Sequence, residues 1–127
     1  MPVRVYIEDT DAGGIVYYAN YLKYMERART EWLREAGVDL TCWQHQQRRL
    51  FVVRAAGIEY HLPARLDDEL TVNAKIMTLR PASIVLEQSV CRQGAVLVSA
   101  TVRLACVDAD TLSPTAIPKP IREASDS

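Results

Sequence analysis

Between Tyr18 and Ala36 the apolar residues Tyr18, Tyr21, Leu22, Met25, Ala28, Trp32, Leu33 and Ala36 recur at spacings of three and four. Lys23, Glu26, Arg27, Thr30, Glu31, Arg34 and Glu35 fill the intervening positions. That period predicts one amphipathic helix with a broad buried stripe, the only long pattern of its kind in the chain. Gly37 follows the last periodic residue, where a left-handed glycine closes a helix and satisfies its late carbonyls. Elsewhere the period is two. The run VRVYI (3–7) reads as a first strand. FVVRAAGIEYHL (51–62) reads as a second, ended by Pro63, with Gly57 marking a bulge or a close backbone approach. From Leu70, alternation puts Leu70, Val72, Ala74 and Ile76 on one face and Thr71, Asn73 and Lys75 on the other. Residues 83–91 give a further strand, Gly94 a hairpin turn, and 95–107 a long strand in which Val96, Val98, Ala100, Val102 and Leu104 share a face.

Residues 38–49 mix Gln44, Gln46 and Gln47 with Leu40 and Trp43 and read as a connection holding one short helical turn. Residues 111–127 carry Pro114, Pro118 and Pro120 and are expected to leave the sheet and fray, from about residue 121 onward. The order is strand, long helix, four strands, without internal repeat. It predicts an α+β fold, a single domain over 1–127 in which a five-stranded antiparallel sheet wraps around one long central helix. One sheet face covers the helix. No second long helix is expected for the other, and a partner subunit is the economical cover.

Composition narrows the function. At 127 residues the chain can bury a core without disulfide or metal staples, and 49% apolar with 24% charged residues and a net charge of −1 is ordinary for a globular protein. No basic footprint for nucleic acid is present, and no apolar span of about 18 residues for membrane insertion. Three cysteines, Cys42, Cys91 and Cys106, with no C-x-x-C spacing fit a reducing cytoplasm; Cys91 and Cys106 fall in apolar strand patterns and read as core thiols. Cys42 and His45 have no second ligand pair at zinc spacing, so no metal is expected. Asp67, Asp68 and Glu69 read as a solvated turn.

The candidate chemistry sits at the start of the helix. Asp9 and Asp11 precede it and Gly13-Gly14 let the chain turn sharply into it. One reading makes the acids turn and cap residues. The other has Asp11 act on a reacting carbon while N–H groups of the first helical turn hold the developing oxyanion. Both need the same local geometry, so spacing leaves the two open.

With those residues in view, the sequence resembles the hotdog-fold acyl-CoA thioesterases of the YbgC and 4-hydroxybenzoyl-CoA thioesterase family. The resemblance covers nearly the whole chain. It is carried by VRVYIEDTDAGGIVYYANYLKYMERARTEWL, then by EYHLPARLDDEL, RPAS and AIPKPI; the combination D-x-x-G-I-V-Y-x-x-N-Y followed by E-R-A-R is its most specific part. The resemblance implies a hotdog fold, hydrolysis of an acyl-CoA to a free acid and CoA without cofactor, and a homodimer assembling into a homotetramer with sites at the dimer interface. Asp11 matches the family's catalytic aspartate, as nucleophile or as general base. The backbone N–H of Tyr18 matches the donor that polarises the thioester carbonyl. Gly14, Ile15 and Tyr17 fall at substrate-contact positions, and Arg80 and Ser83 at a turn resembling the CoA-phosphate contact. Three positions depart from the family pattern. Ile7 stands where many relatives carry Tyr, Tyr18 where many carry His, and Pro81-Ala82 where small hydroxyl residues or glycine are common. The alternatives are a noncatalytic module binding acyl-CoA or acyl carrier protein, and a hotdog dehydratase or hydratase, for which His45 and His61 fall outside the expected motifs.

Overall fold

A computed structural model gives the structure; it describes residues 1–126, with the side chains of 123–126 left out. The chain runs β1 (Pro2–Arg4), a 3-10 turn (Ile7–Asp9), α1 (Ala19–Glu35), α2 (Leu40–His45), β2 (Arg49–Tyr60), β3 (Glu69–Leu79), β4 (Ser83–Arg92), β5 (Ala95–Asp108) and α3 (Lys119–Asp126). The five strands form one sheet in the order β1-β3-β4-β5-β2, every neighbouring pair antiparallel. α1 lies across the inward face of β3 and β4. This is the α+β architecture that the hydrophobic periods predict, a helix enclosed by a curled antiparallel sheet.

Core and helix stripe match in part: Tyr18, assigned to the stripe, is exposed and precedes the helix, and one pair is exchanged within it. Tyr21, Tyr24, Met25, Ala28 and Leu33 are the buried residues of α1, whereas Leu22 is exposed. Tyr24 belongs to the stripe that the sequence reading gave to Leu22. The sheet supplies Leu70, Val72, Ile84, Leu86, Val90 and Val102 to the same core. Gln88 is the one polar side chain buried among the described residues. Its Nε2 donates to the Met25 carbonyl at 2.9 Å and its Oε1 accepts from Arg29 Nη1 at 2.9 Å, so the amide ties β4 to α1. A buried amide so satisfied costs little and fixes the helix on the sheet.

The end of α1 is closed in the manner its sequence foretells. Gly37 adopts φ +95°, its N–H donates to Arg34 O at 3.0 Å, and Val38 N–H donates to Leu33 O at 3.0 Å. That is the paired bonding of a Schellman cap, with buried Leu33 and Val38 supplying its apolar contact. The short helical turn expected in 38–49 is α2, capped by Asp39, whose Oδ1 accepts from Cys42 N–H at 3.2 Å.

Several expectations need correction. The first strand ends at Arg4 instead of running to Ile7, because the Asp9 carboxylate accepts the Tyr6 N–H at 3.0 Å and draws the chain into the 3-10 turn. The bulge of β2 lies at Arg54, between Val53 and Ala55, and not at Gly57. In β5, Val90 faces Val98 and Cys91 faces Val96, so Leu97 is an extra residue; it is buried and Val96 is turned out to solvent, off the face it was assigned. Cys106 is fully buried, and burial pushes its thiol pKa up, but Cys91 is only half-buried and points outward beside Ser89. The C-terminal segment does not fray at 121. Ile117 and Ile121, four apart, are both buried, Ile117 N–H donates to Pro81 O at 2.9 Å, and Pro120 falls in the first turn of α3, where its missing N–H costs nothing. The outer sheet face carries exposed Thr71, Asn73, Lys75, Glu87, Thr101 and Arg103, so it is wettable and does not by itself call for a covering subunit.

Candidate active site

The loop entering α1 is built by its own backbone. Asp11 N–H donates to Ile15 O at 3.0 Å and Gly14 N–H to Asp11 O at 3.1 Å, closing a tight turn whose Gly14 has φ +74°. That value strains any residue with a Cβ, and only glycine adopts it freely. The loop is then strapped to residues 64–66: Val16 N–H donates to Ala64 O at 2.8 Å, Leu66 N–H to Gly14 O at 3.0 Å, and Ala64 N–H to the Tyr21 hydroxyl at 3.0 Å. Tyr17 N–H and Asn20 Nδ2 both donate to Asp9 O, at 3.0 and 2.8 Å, which anchors the first turn of the helix to the acidic segment.

The turn at 65–68 is held in its own right. Burial works to raise the Asp68 pKa, but the Arg65 N–H at 2.8 Å and the Arg92 guanidinium at 2.7 Å outweigh it and hold this carboxyl below the usual carboxylate range. The acidic cluster is therefore partly an ion pair and not wholly a solvated turn. Behind the loop, burial pushes the Tyr24 hydroxyl pKa up, and the nearby Asp9 carboxylate adds to it. Among the described residues no partner meets that hydroxyl in full hydrogen-bond geometry.

Asp11 is exposed, and its Oδ1 accepts from Gly13 N–H at 2.9 Å. This is the turn-forming role of the first reading, and it leaves Oδ2 uncommitted among the described residues. Tyr18 precedes the first residue of α1, and no described residue accepts from the N–H of Tyr18 or of Ala19. Such N–H groups at the positive end of a 17-residue helix favour negative charge. Tyr18 also lines an open hollow of about 270 Å³, walled with it by Ile15, Tyr21, Tyr60, Leu62 and Pro63. Tyr60 makes an edge contact with Tyr18 at 6.2 Å between ring centroids and a tilted one with Tyr21 at 5.7 Å.

The structure brings Ile15 and Tyr18 to this hollow and puts Asp11, Gly14 and Tyr17 in the loop beside it. Tyr17 packs its ring on Tyr18 at 4.8 Å. Arg80 and Ser83 are elsewhere in the same protomer. Arg80 N–H donates to Ser83 O at 2.9 Å in the turn from β3 to β4, at the far end of an 11-residue strand. At roughly 3.3 Å per residue the strand's contour is about 35 Å, so the turn lies at the opposite end of β3 from the strap at 64–66. Tyr60 is among the wall residues that sequence reasoning missed, with Leu62 and Pro63. Its place in the alternation of β2 was legible, but the bulge at Arg54 resets which residues face inward. His61 also borders the hollow, yet its Nε2 is 2.9 Å from the Ser99 hydroxyl, on the side of β5 opposite to inward-facing Val98 and Ala100.

Known proteins share both chain and architecture. The thioesterase-like superfamily model matches residues 5–125. Acyl-CoA thioesterase YbgC of Haemophilus influenzae is 45% identical over 123 residues, 97% of this chain and 90% of that protein. A probable thioesterase from Bartonella henselae superposes with a TM-score of 0.87 at 35% identity, covering 93% of this chain and 97% of that one. A gentisyl-coenzyme A thioesterase superposes with a TM-score of 0.85 at 30% identity, covering 96% and 98%. The helix-in-sheet architecture they share is the hotdog fold. The chain belongs to the thioesterase-like superfamily, and it is an enzyme, a thioester hydrolase.

Proposed function

We propose that this protein hydrolyses acyl-CoA thioesters to a free carboxylic acid and CoA. The observation that carries the reading is that Tyr18, whose N–H and that of Ala19 find no acceptor among the described residues, lines an aromatic hollow next to the loop that holds Asp11. The thioester carbonyl lies with its oxygen on the Tyr18 N–H. As the carbonyl carbon becomes tetrahedral the oxygen gains charge, and fixed donors at a helix N-terminus stabilise that state more than the ground state. Asp11 then serves in one of two ways. As a nucleophile its carboxylate forms a mixed anhydride and expels the CoA thiolate, and water cleaves the anhydride. As a general base it takes a proton from water, whose oxygen bonds to the carbonyl carbon while the C–S bond breaks. Either way the product is the acid, and the thiolate leaves as CoA. The acyl group sits against Tyr18, Tyr21 and Tyr60. Gly14 and Ile15 shape the entry, and Tyr17 packs behind Tyr18.

Support for a second copy comes from the free edge of β2. The sheet order leaves this 12-residue strand unpaired on one side, and Ala55, Ala56 and Gly57 are exposed along it as an uncharged stretch free of proline between Arg54 and Glu59. Antiparallel pairing of β2 with its copy sets the Arg49 end of one protomer against the Tyr60 end of the other. The partner copy's turn at 80–83 then faces the same end as this protomer's hollow, offset by three to four strands, roughly 15 Å. A pantetheine arm spans that gap, so Arg80 and Ser83 act on the CoA phosphates of the neighbouring site. A homodimer assembling into a homotetramer in the cytoplasm is the form in which we expect it to act, on CoA or on acyl carrier protein as thiol carrier. Thiol release from short, long and aromatic acyl-CoAs, with Asp11→Asn beside the wild type, tests the reading. Inert substrates throughout, or an Asn variant as fast as wild type, would overturn it.

A further inference from the structure

Tyr24 sits on α1 one turn after Asn20, so the two side chains leave the same face of the helix. Asn20 reaches back to Asp9, its Nδ2 donating to the carbonyl at 2.8 Å. Tyr24 turns into the core: it is 2% exposed, and its ring makes an edge contact with that of Tyr21 at 6.2 Å between centroids. Its hydroxyl is buried, and no described residue meets it in full hydrogen-bond geometry. A phenyl ring would fill the same space without stranding a hydroxyl, so packing alone does not account for the oxygen.

The near acceptor is the Asp9 carboxylate. Burial raises the hydroxyl pKa most, Asp9 raises it further, and the Arg27 guanidinium opposes both without cancelling them. Asp9 is also the hub of the segment that enters the helix. Its Oδ2 accepts from Tyr6 N–H at 3.0 Å, and its carbonyl accepts from Tyr17 N–H at 3.0 Å as well as from the Asn20 amide. Tyr17 N–H is thus tied down immediately before the N–H groups of Tyr18 and Ala19, which find no acceptor among the described residues. Where Asp9 sits decides where the Tyr18 N–H points, and Asp11 follows only two residues later. The bonds that hold Asp9 come from its own turn and from the start of the helix; the Tyr24 hydroxyl is the group that approaches it from the core.

We propose that Tyr24 is a positioning residue for thioester hydrolysis: its hydroxyl donates to the Asp9 carboxylate and locks residues 9–11 against the first turn of α1, keeping the Tyr18 N–H and the Asp11 carboxylate in register. The inference rests on the reading above, in which those two groups act on the thioester. Steady-state thiol release and melting temperature, measured on full-length Tyr24→Phe, test it. The variant loses one oxygen and keeps the ring. Its kcat should fall about tenfold while KM stays within about twofold, and its melting temperature should drop. Combined with Asp9→Asn, it should be no more than about twofold slower than the slower single variant, because both changes remove the same contact. Val38→Ala, at the closed end of α1, is the control for stability alone and should melt earlier with kcat unchanged. An unchanged kcat in Tyr24→Phe, a melting temperature equal to or above wild type, losses that multiply in the double variant, or an equal loss of kcat in Val38→Ala would each overturn the inference. Should Tyr24→Phe fail to fold, Asp9→Asn decides: it keeps an acceptor for Tyr6 N–H and weakens the one offered to the hydroxyl, so kcat must fall with KM held, and an unchanged kcat overturns the inference. Turnover lost in Asp11→Asn but intact in Tyr24→Phe would overturn this inference alone. Turnover intact in Asp11→Asn, or absent from wild type with every acyl-CoA, would overturn both readings.

Discussion

The two ends of α1 are built from similar parts and finished in opposite ways. At its C-terminus Gly37, with φ +95°, folds the chain back so that two N–H groups satisfy helix carbonyls, and Val38 and the Pro120 ring close over the cap. At its N-terminus Gly14, with φ +74°, folds the incoming chain just as sharply, yet the N–H groups of Tyr18 and Ala19 find no acceptor among the described residues, and Tyr17 and Tyr18 are exposed there. One end spends its glycine on closure, the other on access. A helix end that is closed contributes stability; one held open by a strapped loop keeps donors available for a reacting group.

That contrast can be broken most severely at Asp11. Asp11→Asn keeps the side-chain acceptor for Gly13 N–H but removes the carboxylate, and turnover of acyl-CoA should fall by roughly 10²–10⁴-fold, the range for a positioned acid or base. The melting temperature and oligomer size should stay near wild type; thiol release and calorimetry on the same preparation check both. The glycines give a paired test. Gly37→Ala and Gly14→Ala each force a Cβ into the left-handed region, at about 1–2 kcal/mol. We expect both to lower the urea midpoint, but only Gly14→Ala to lower turnover, because the Gly37 loop touches nothing that faces substrate.

Smaller effects refine the open end. Tyr60→Ala should leave folding intact and widen the hollow, shifting the ratio of kcat/KM between aromatic and long aliphatic acyl-CoAs by about tenfold, the scale of one to two kcal/mol of apolar contact. The smallest concerns the strap at 65–68. The Asp68 pKa is depressed in the folded state, so its contribution to stability is present above its unfolded value, about 3.9, and is lost as pH falls through the lower folded value. Asp68→Asn should therefore lower the urea midpoint at pH 7, and the gap to wild type should close below about pH 4. A constant gap at pH 7 and pH 3 would show that the ion pair with Arg92 does not support the loop.

How much was legible in the sequence follows the range of the interactions involved. The helix, its glycine stop, the hairpin at Gly94 and the three long strands from Leu70 onward rest on contacts within a few residues, and the apolar period writes those directly. Tyr24 was missed and Leu22 misplaced because a helix stripe read from spacing alone is broad, and the strand that lies across it decides which edge is covered. The bulge at Arg54 moved the irregularity of β2 away from Gly57 and the extra residue at Leu97 turned Val96 outward, since register belongs to the partner strand as much as to the strand itself. Ile117 and Ile121 looked like a fraying tail until the turn at Pro81 supplied an acceptor and the core a space.

The candidate site divides the same way. Asp11, Gly14 and the helix start are neighbours along the chain, so motif and local geometry identified them together. Tyr60 joins them only because the sheet curls β2 past the start of α1, and Arg29 meets Gln88 only because α1 lies on β4; 59 residues separate that pair along the chain. The amino-acid sequence by itself determined the helix, its cap, the strands and the family to which they belong, because those follow from short-range periods and turns. Which side chains converge, which donors stay unpaired and where the chain leaves room for a ligand were decided by the tertiary structure, because burial and hydrogen bonding between distant segments exist only once the sheet has closed around the helix.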